Sequence, residues 1–96
     1  MMTMKDDAWV WVLVRDPEGD AAFLGLEDRK GTESIIPAYM NKKAADRGFE
    51  GLGSAAGAEV EIQAIRYGDL RRRARESGFA VGVIDDDGNL VEKKDA

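Results

Sequence analysis

Arginines crowd one short stretch of this 96-residue chain. Five of its fourteen basic residues fall within the ten positions from Arg66 to Arg75. A guanidinium group donates paired hydrogen bonds to phosphate and carboxylate groups, so such a cluster suits an anionic ligand. The alternative is a solvated helix face whose aliphatic stems cover nearby apolar surface. The predicted ligand-binding residues are Arg66, Arg71, Arg72 and Arg75.

Two tryptophans, Trp9 and Trp11, occupy alternate positions near the start of the chain. Alternate residues of a strand share one face of a sheet, so the two side chains lie side by side. One interpretation buries them in the core beneath the helices. The other leaves them exposed as an aromatic surface for pairing or ligand stacking. On that second interpretation, Trp9 and Trp11 are the predicted interface residues.

The most acidic run, Asp85–Asn89, contains residue types that ligate divalent cations. An EF-hand loop needs glycine in its sixth place, and Gly88 in that place would make Val83 the first ligand and Lys94 the last. Neither of these side chains binds calcium. The run is therefore predicted to form a hairpin turn, and no metal site is predicted.

The glycines between positions 48 and 53 follow the order G-x-x-G-x-G. A dinucleotide-binding loop instead has G-x-G-x-x-G between a strand and a helix, whereas these glycines follow a predicted helix. The chain has no G-x-x-x-x-G-K motif either. We therefore predict no nucleotide site and no cofactor.

The composition excludes several kinds of chemistry. The chain has no cysteine and no histidine, which rules out disulfides, iron–sulfur clusters, a thiol nucleophile and a Ser-His-Asp triad. General acid–base catalysis would fall to Asp, Glu, Lys or Tyr alone. No catalytic residue is predicted, and a non-enzymatic protein is favoured. The net charge of −5 disfavours nucleic acid as a partner.

No segment has the pattern of a targeting signal or a membrane span. The longest apolar run, Ala8–Val14, has the length of a strand, far below the roughly 20 residues that cross a bilayer. The preceding residues carry two acids rather than the basic start of a signal peptide. We expect a cytoplasmic protein with no membrane partner.

The elements that position these side chains predict an α+β fold with a five- to six-stranded mixed sheet in the order β-β-β-α-β-α-β-β. Both helices are expected mainly on one face of that sheet. A single domain over residues 8–93 is predicted between a flexible N-terminal arm, 1–7, and a loose C-terminal tail, 94–96. Strands are predicted at 8–14, 21–27, 33–36, 58–66, 79–84 and 90–93, with helices beginning after the cap Asn41 and at Asp69.

Two strands have informative patterns. In the segment 58–66, Val60, Ile62 and Ala64 alternate with polar residues, which predicts a strand with one solvated face near a sheet edge. The first strand is apolar on both faces. If both helices pack on one side of the sheet, they leave the second face of this strand uncovered. A symmetric second copy of the chain would cover that face, so a homodimer is predicted.

Five segments form an ordered set of motifs: Trp9–Val14, Ile35–Tyr39, Asn41–Ala45, Asp69–Leu70 and the strand-turn-strand of 79–91. Their order resembles the N-terminal domain of SseB-like proteins and related small bacterial domains of unknown function. The resemblance spans most of the chain, and Tyr39 stands where the family pattern has a phenylalanine. It implies a small α+β sheet domain and no activity.

Two functional hypotheses follow from these patterns. The first is a non-enzymatic interaction domain, homodimeric, that binds protein through a sheet face or edge. The second is a sensor or enzyme that holds a small anionic ligand with the arginines of the second helix. A concave arginine-lined pocket would favour the second hypothesis, whereas an exposed apolar surface would favour the first.

Overall fold

The computed structural model describes residues 4–19, 21–27, 34–53 and 59–94. It confirms the predicted α+β class, a mixed sheet with two α-helices. In chain order the elements are β1 (Trp9–Arg15), β2 (Ala22–Phe23), β3 (Leu26–Glu27), β4 (Ser34–Tyr39), α1 (Lys42–Gly48), a π-helix (Phe49–Gly53), β5 (Val60–Arg66), α2 (Tyr67–Ser77), β6 (Ala80–Ile84) and β7 (Leu90–Lys94).

The sheet is built around β1. This strand pairs antiparallel with β5 along its whole length, from Trp9↔Arg66 to Arg15↔Val60. On its other side lies β4, which runs parallel to β6, and β7 follows antiparallel to β6. The long strands therefore take the order β5-β1-β4-β6-β7. Among the described strands β5 pairs with β1 alone, as the alternation in 58–66 predicts for an edge strand.

The predicted strand 21–27 is divided into two short strands. Strands β1 and β4 share a single bridged pair, Trp11↔Tyr39. Beyond it, β2 pairs with the end of β1, and β3 pairs with the start of β4. Because neither neighbour offers a continuous ladder, the segment changes partner at Leu24–Gly25.

One face of the sheet packs against α2. The buried residues on this face form one cluster. It is the main core, because burying each large aliphatic side chain contributes about 1.5–3 kcal/mol. It joins the valines of β1 to α2, β4 and β6 through Val10, Val12, Val14, Ile36, Ala38, Tyr67, Leu70, Ala74, Val81 and Val83.

The opposite face packs against α1 and the π-helix. Leu13 of β1 is buried there with Ala44 and Ala45 of α1, and Trp11 and Phe49 pack against them. The prediction that both helices lie mainly on one face is therefore wrong. Both faces of β1 are apolar, and one helix packs on each of them, so that only the terminal residues Trp9 and Arg15 of this strand are exposed. A second copy is not needed to cover β1, so the homodimer prediction must rest on another surface.

Helix α1 begins as the sequence predicts, at the cap Asn41. The side chain of Asn41 accepts a hydrogen bond from the backbone N–H of Ala44 at 2.9 Å. At the end of this helix, Gly48 lies against Tyr39, and a Cβ at Gly48 would overlap the tyrosine hydroxyl group and ring. Only glycine lets the helix approach β4 this closely.

Helix α2 begins two residues before the predicted start, at Tyr67, and ends at Gly78 in the left-handed conformation. No side chain caps its start. Instead, the N–H of Tyr67 donates to the carbonyl of Ala8 at 2.9 Å, and that of Gly68 donates to the carbonyl of Asp6 at 2.8 Å. Residues of the predicted arm thus contact the domain: the carbonyl of Asp6 accepts a hydrogen bond from an N–H of the first helical turn that has no partner within the helix, and Met4 packs against the core.

The acidic run forms the predicted hairpin turn between β6 and β7. The carboxylate of Asp85 accepts hydrogen bonds from the backbone N–H groups of Asp87, at 3.0 Å, and Asn89, at 2.9 Å. Gly88 takes the left-handed conformation, with φ of 83°. None of the helices in the described part of the chain is long and apolar enough to cross a membrane.

Candidate functional site

Three of the four predicted ligand-binding arginines come together on α2. Arg71, Arg72 and Arg75 line a depression of about 250 Å³ with Asp6 and Gly68. This juxtaposition follows from the helix, since residues three or four apart share a face.

Acidic side chains already neutralise part of this depression. A guanidinium nitrogen of Arg71 lies 3.4 Å from a carboxylate oxygen of Asp6. Arg72 pairs in the same way with Asp69 at 3.0 Å. The side chain of Arg75 makes no hydrogen bond or ion pair with any described residue. A small anion entering here would meet one unpaired guanidinium and two that carry exposed partners.

Arg66, the fourth predicted residue, lies elsewhere. It is the last residue of β5, and its guanidinium carbon stands 4.8 Å from the centroid of the Trp9 ring. The same group donates a hydrogen bond to the carbonyl of Asp7 at 3.1 Å. The structure therefore separates Arg66 from the arginines of α2 and places it beside a predicted interface residue.

The two tryptophans have different environments. Trp9 is 51% exposed, whereas Trp11 is partly buried and packs against the cluster under α1. The ladder pairs Trp9 with Arg66 and Trp11 with Ala64, so all four side chains share one face. Ala64 and Arg66 are both exposed. We call Trp9, Ala64 and Arg66 the Trp9 surface.

One edge of β5, beside the Trp9 surface, pairs with no other strand in the described part of the chain. Hydrogen bonds from Asp16 to Glu59, at 2.8 Å, and from Tyr67 to Ala8, at 2.9 Å, continue the β1–β5 register at both ends. In an antiparallel ladder every second residue bonds to the same neighbour, so the odd-numbered residues of β5 bond to β1. The N–H and C=O groups that point away from β1 belong to Val60, Ile62, Ala64 and Arg66.

The edge strand at the other end of the sheet, β7, is interrupted. Val83 is opposite Glu92 and Ile84 is opposite Leu90, so Val91 is an extra, bulged residue. Bulges and lysines protect sheet edges from further pairing, and two lysines end this strand. The seven residues of β5 have no bulge, no lysine and no proline. Of the two edges, β5 is therefore the one open to another strand.

Two buried tyrosines and the acidic turn are the other places where polar side chains could take part in chemistry. Burial and a hydrogen bond of 2.9 Å to Glu92 raise the pKa of Tyr67 above its ordinary value, and burial also raises the pKa of Tyr39. The Asp86 side chain accepts a hydrogen bond from Asn41, which ties the turn to α1. The described residues hold no group of three acidic side chains that could bind a metal ion.

Comparisons with known proteins add no relative. No protein-family model matches the chain, and neither a curated protein nor a solved structure matches it. The resemblance to SseB-like N-terminal domains thus stays a prediction. Sequence reasoning identified both tryptophans and the edge strand but missed Ala64, whose only signal was its place in the alternation with Val60 and Ile62.

Proposed function

We propose that this chain is a cytoplasmic, non-enzymatic interaction domain that forms a homodimer through the outer edge of β5. The observation that carries the proposal is a seven-residue strand whose outer edge pairs with no other described strand. An added strand would pair with the four N–H and four C=O groups that point away from β1. Such backbone pairing is the main source of affinity when a strand is added to a sheet.

The Trp9 surface supports the same proposal. Trp9 is one of three large hydrophobic side chains that are exposed in the described part of the chain, with Leu90 and Val91 on the bulged edge. Tryptophan and arginine are enriched among the interface residues that contribute most to binding. Both residue types occur near the outer edge of β5: Arg66 lies on β5 itself and Trp9 on the neighbouring strand β1.

Light scattering coupled to gel filtration tests the dimer. We expect twice the chain mass for the wild-type protein and the chain mass for Ala64→Pro. Proline at this position removes an N–H that points away from β1, so the β1 ladder is retained. Ala64→Ser keeps that N–H and is the matched control, expected to remain a dimer. Circular dichroism verifies that both variants are folded, and a monomeric wild-type chain at several hundred micromolar overturns the proposal.

A second candidate function is binding of a small anion by the depression on α2. The observation that favours it is Arg75, whose side chain pairs with no described residue, beside Arg71. The partner of Arg71, Asp6, has a side chain that is 75% exposed and therefore exchangeable. Titration with inorganic phosphate, followed by NMR, tests it. Saturable binding that is lost in Arg71→Ala/Arg75→Ala and kept in Arg73→Ala supports this function, and no saturable binding to the wild type rejects it.

The same titration with labelled duplex DNA is expected to show no submicromolar binding. The net charge of −5 repels phosphate at long range, and non-specific binding by basic proteins reaches only about 10⁻⁴–10⁻⁶ M. Submicromolar duplex binding that the double variant loses would overturn the exclusion of nucleic acid.

A further inference from the structure

We propose that the two β5 strands pair antiparallel in a single register, with Gln63 opposite the partner's Gln63 on the two-fold axis. This inference rests on the proposed homodimer and specifies its geometry. The result is one continuous sheet in which the five long strands of each copy are joined edge to edge.

The hydrogen-bonding pattern of β5 limits the possible registers. Only its even-numbered residues direct backbone groups outward, so an even residue of one copy must bond to an even residue of the other. A two-fold axis that satisfies this condition passes through a residue position and never between two residues. Seven positions of the strand, 60 to 66, therefore remain as possible centres.

Charge removes the registers centred near the start of the strand. An axis at position 61 places Glu61 directly against the partner's Glu61. An axis at Val60 places Glu59 against the partner's Glu61, twice by symmetry. Like charges directly opposite one another destabilise a pair of strands, so the glutamates act against both arrangements.

Overlap and packing select Gln63 among the remaining centres. Only an axis at Gln63 lets all seven residues of β5 pair, because every other centre leaves part of each strand beyond the end of its partner. In this register Glu61 meets the partner's Ile65, so no like charges face each other. The two Gln63 amides meet as donor and acceptor, which neutral amides can do in either orientation.

This register also explains the exposed alanine. Ala64 lies opposite the partner's Ile62, and the β1–β5 ladder extends the row to Trp11 on one side and the partner's Leu13 on the other. Four apolar side chains thus cross the interface in one line, and symmetry repeats the line. A small residue at Ala64 gives the larger isoleucine room to pack.

Disulfide trapping tests the register, because the chain has no cysteine of its own. In the proposed pairing Gln63 forms a non-hydrogen-bonded pair whose Cα atoms are about 4.5 Å apart, within the range of about 4.4–6.8 Å that a disulfide spans. We expect Gln63→Cys to form a covalent dimer under mild oxidation. Glu61→Cys is the matched control: its two cysteines would lie about 14 Å apart along the strands, so it stays uncrosslinked.

A charge-swap experiment supplies an independent readout. Gln63→Lys and Gln63→Glu each place like charges on the axis, so each alone is expected to be monomeric by light scattering. Their equimolar mixture is expected to restore a species of twice the chain mass.

The outcomes separate the register from the dimer itself. A dimeric wild-type protein in which Glu61→Cys crosslinks and Gln63→Cys does not would overturn the register and leave the homodimer standing. A monomeric wild-type protein would overturn both. Crosslinking of Gln63→Cys that persists in the Ala64→Pro background would show random collision and also reject the register.

Discussion

Trp9 lies beneath the guanidinium group of Arg66, with 4.8 Å between the guanidinium carbon and the ring centroid. The two residues are directly opposed in the β1–β5 ladder. An exposed cation–π contact contributes about 0.5–1 kcal/mol, enough to favour one arrangement of a long side chain. In the proposed dimer the partner's Val60 is opposite Arg66. The aliphatic stem of Arg66 would then fill the space between Trp9 and the partner's Val60.

Replacing Trp9 is expected to weaken the dimer more than the fold. Because the indole is 51% exposed, Trp9→Ala removes little core packing. Truncation of an aromatic residue that contributes strongly to an interface costs more than about 1 kcal/mol, or more than about a fivefold rise in the dissociation constant. Analytical ultracentrifugation measures that constant. Leu90→Ala removes an equally exposed residue at the opposite edge, and a similar weakening in that control would contradict the placement of the interface.

Leu70 and Leu90 are expected to differ in their contributions to stability. Leu70 of α2 is fully buried, whereas Leu90 is 51% exposed. Truncation of a buried leucine to alanine costs about 2–5 kcal/mol, and a substitution at the surface usually changes the free energy of unfolding by less than about 0.5 kcal/mol. Urea unfolding of Leu70→Ala and Leu90→Ala measures both. Comparable losses would argue against α2 as the cover of this face.

The position of Gly48 against Tyr39 predicts a steric effect. A methyl group at Gly48 would overlap the tyrosine ring, whereas a Cβ at Gly51 meets nothing within 4 Å. Overpacking of this kind costs about 1–3 kcal/mol. We expect Gly48→Ala to lower the midpoint of thermal unfolding clearly and Gly51→Ala to leave it unchanged or raise it. Equal midpoints for the two variants would refute the close approach of α1 to β4.

Both tyrosines of the chain are expected to ionise above the ordinary phenol pKa. Burial raises the pKa of Tyr39 and Tyr67, and Glu92 raises that of Tyr67 further. Since the folded state favours the neutral phenols, their contribution to stability is complete below about pH 10, the unfolded pKa. It is lost as the pH rises through the higher folded pKa values.

Ultraviolet absorbance of tyrosinate checks this expectation. At pH 10 the folded protein should show less than half of the tyrosinate signal that the unfolded protein shows. Tyr67→Phe should reduce the loss of unfolding free energy between pH 9 and pH 11. Half-ionisation of both tyrosines at pH 10 in the folded protein would contradict their burial.

The amino-acid sequence determined the features that depend on neighbouring residues. Asn41 caps a helix and Asp85 organises a turn because each bonds to backbone groups three or four residues away. The alternation around Ile62 predicted an edge strand because side-chain period and solvent exposure are linked within one strand.

The tertiary structure decided which distant residues meet. It placed one helix on each face of β1 and divided the segment 21–27 between two strands, because packing and ladder pairing act between segments far apart in sequence. It also placed Arg66 beside Trp9, whereas the other predicted ligand-binding arginines lie together on α2. Arg66 lies only five positions before Arg71, yet it ends a strand while Arg71 lies on a helix. That change of direction between β5 and α2 is what separates the Trp9 surface from the arginine depression.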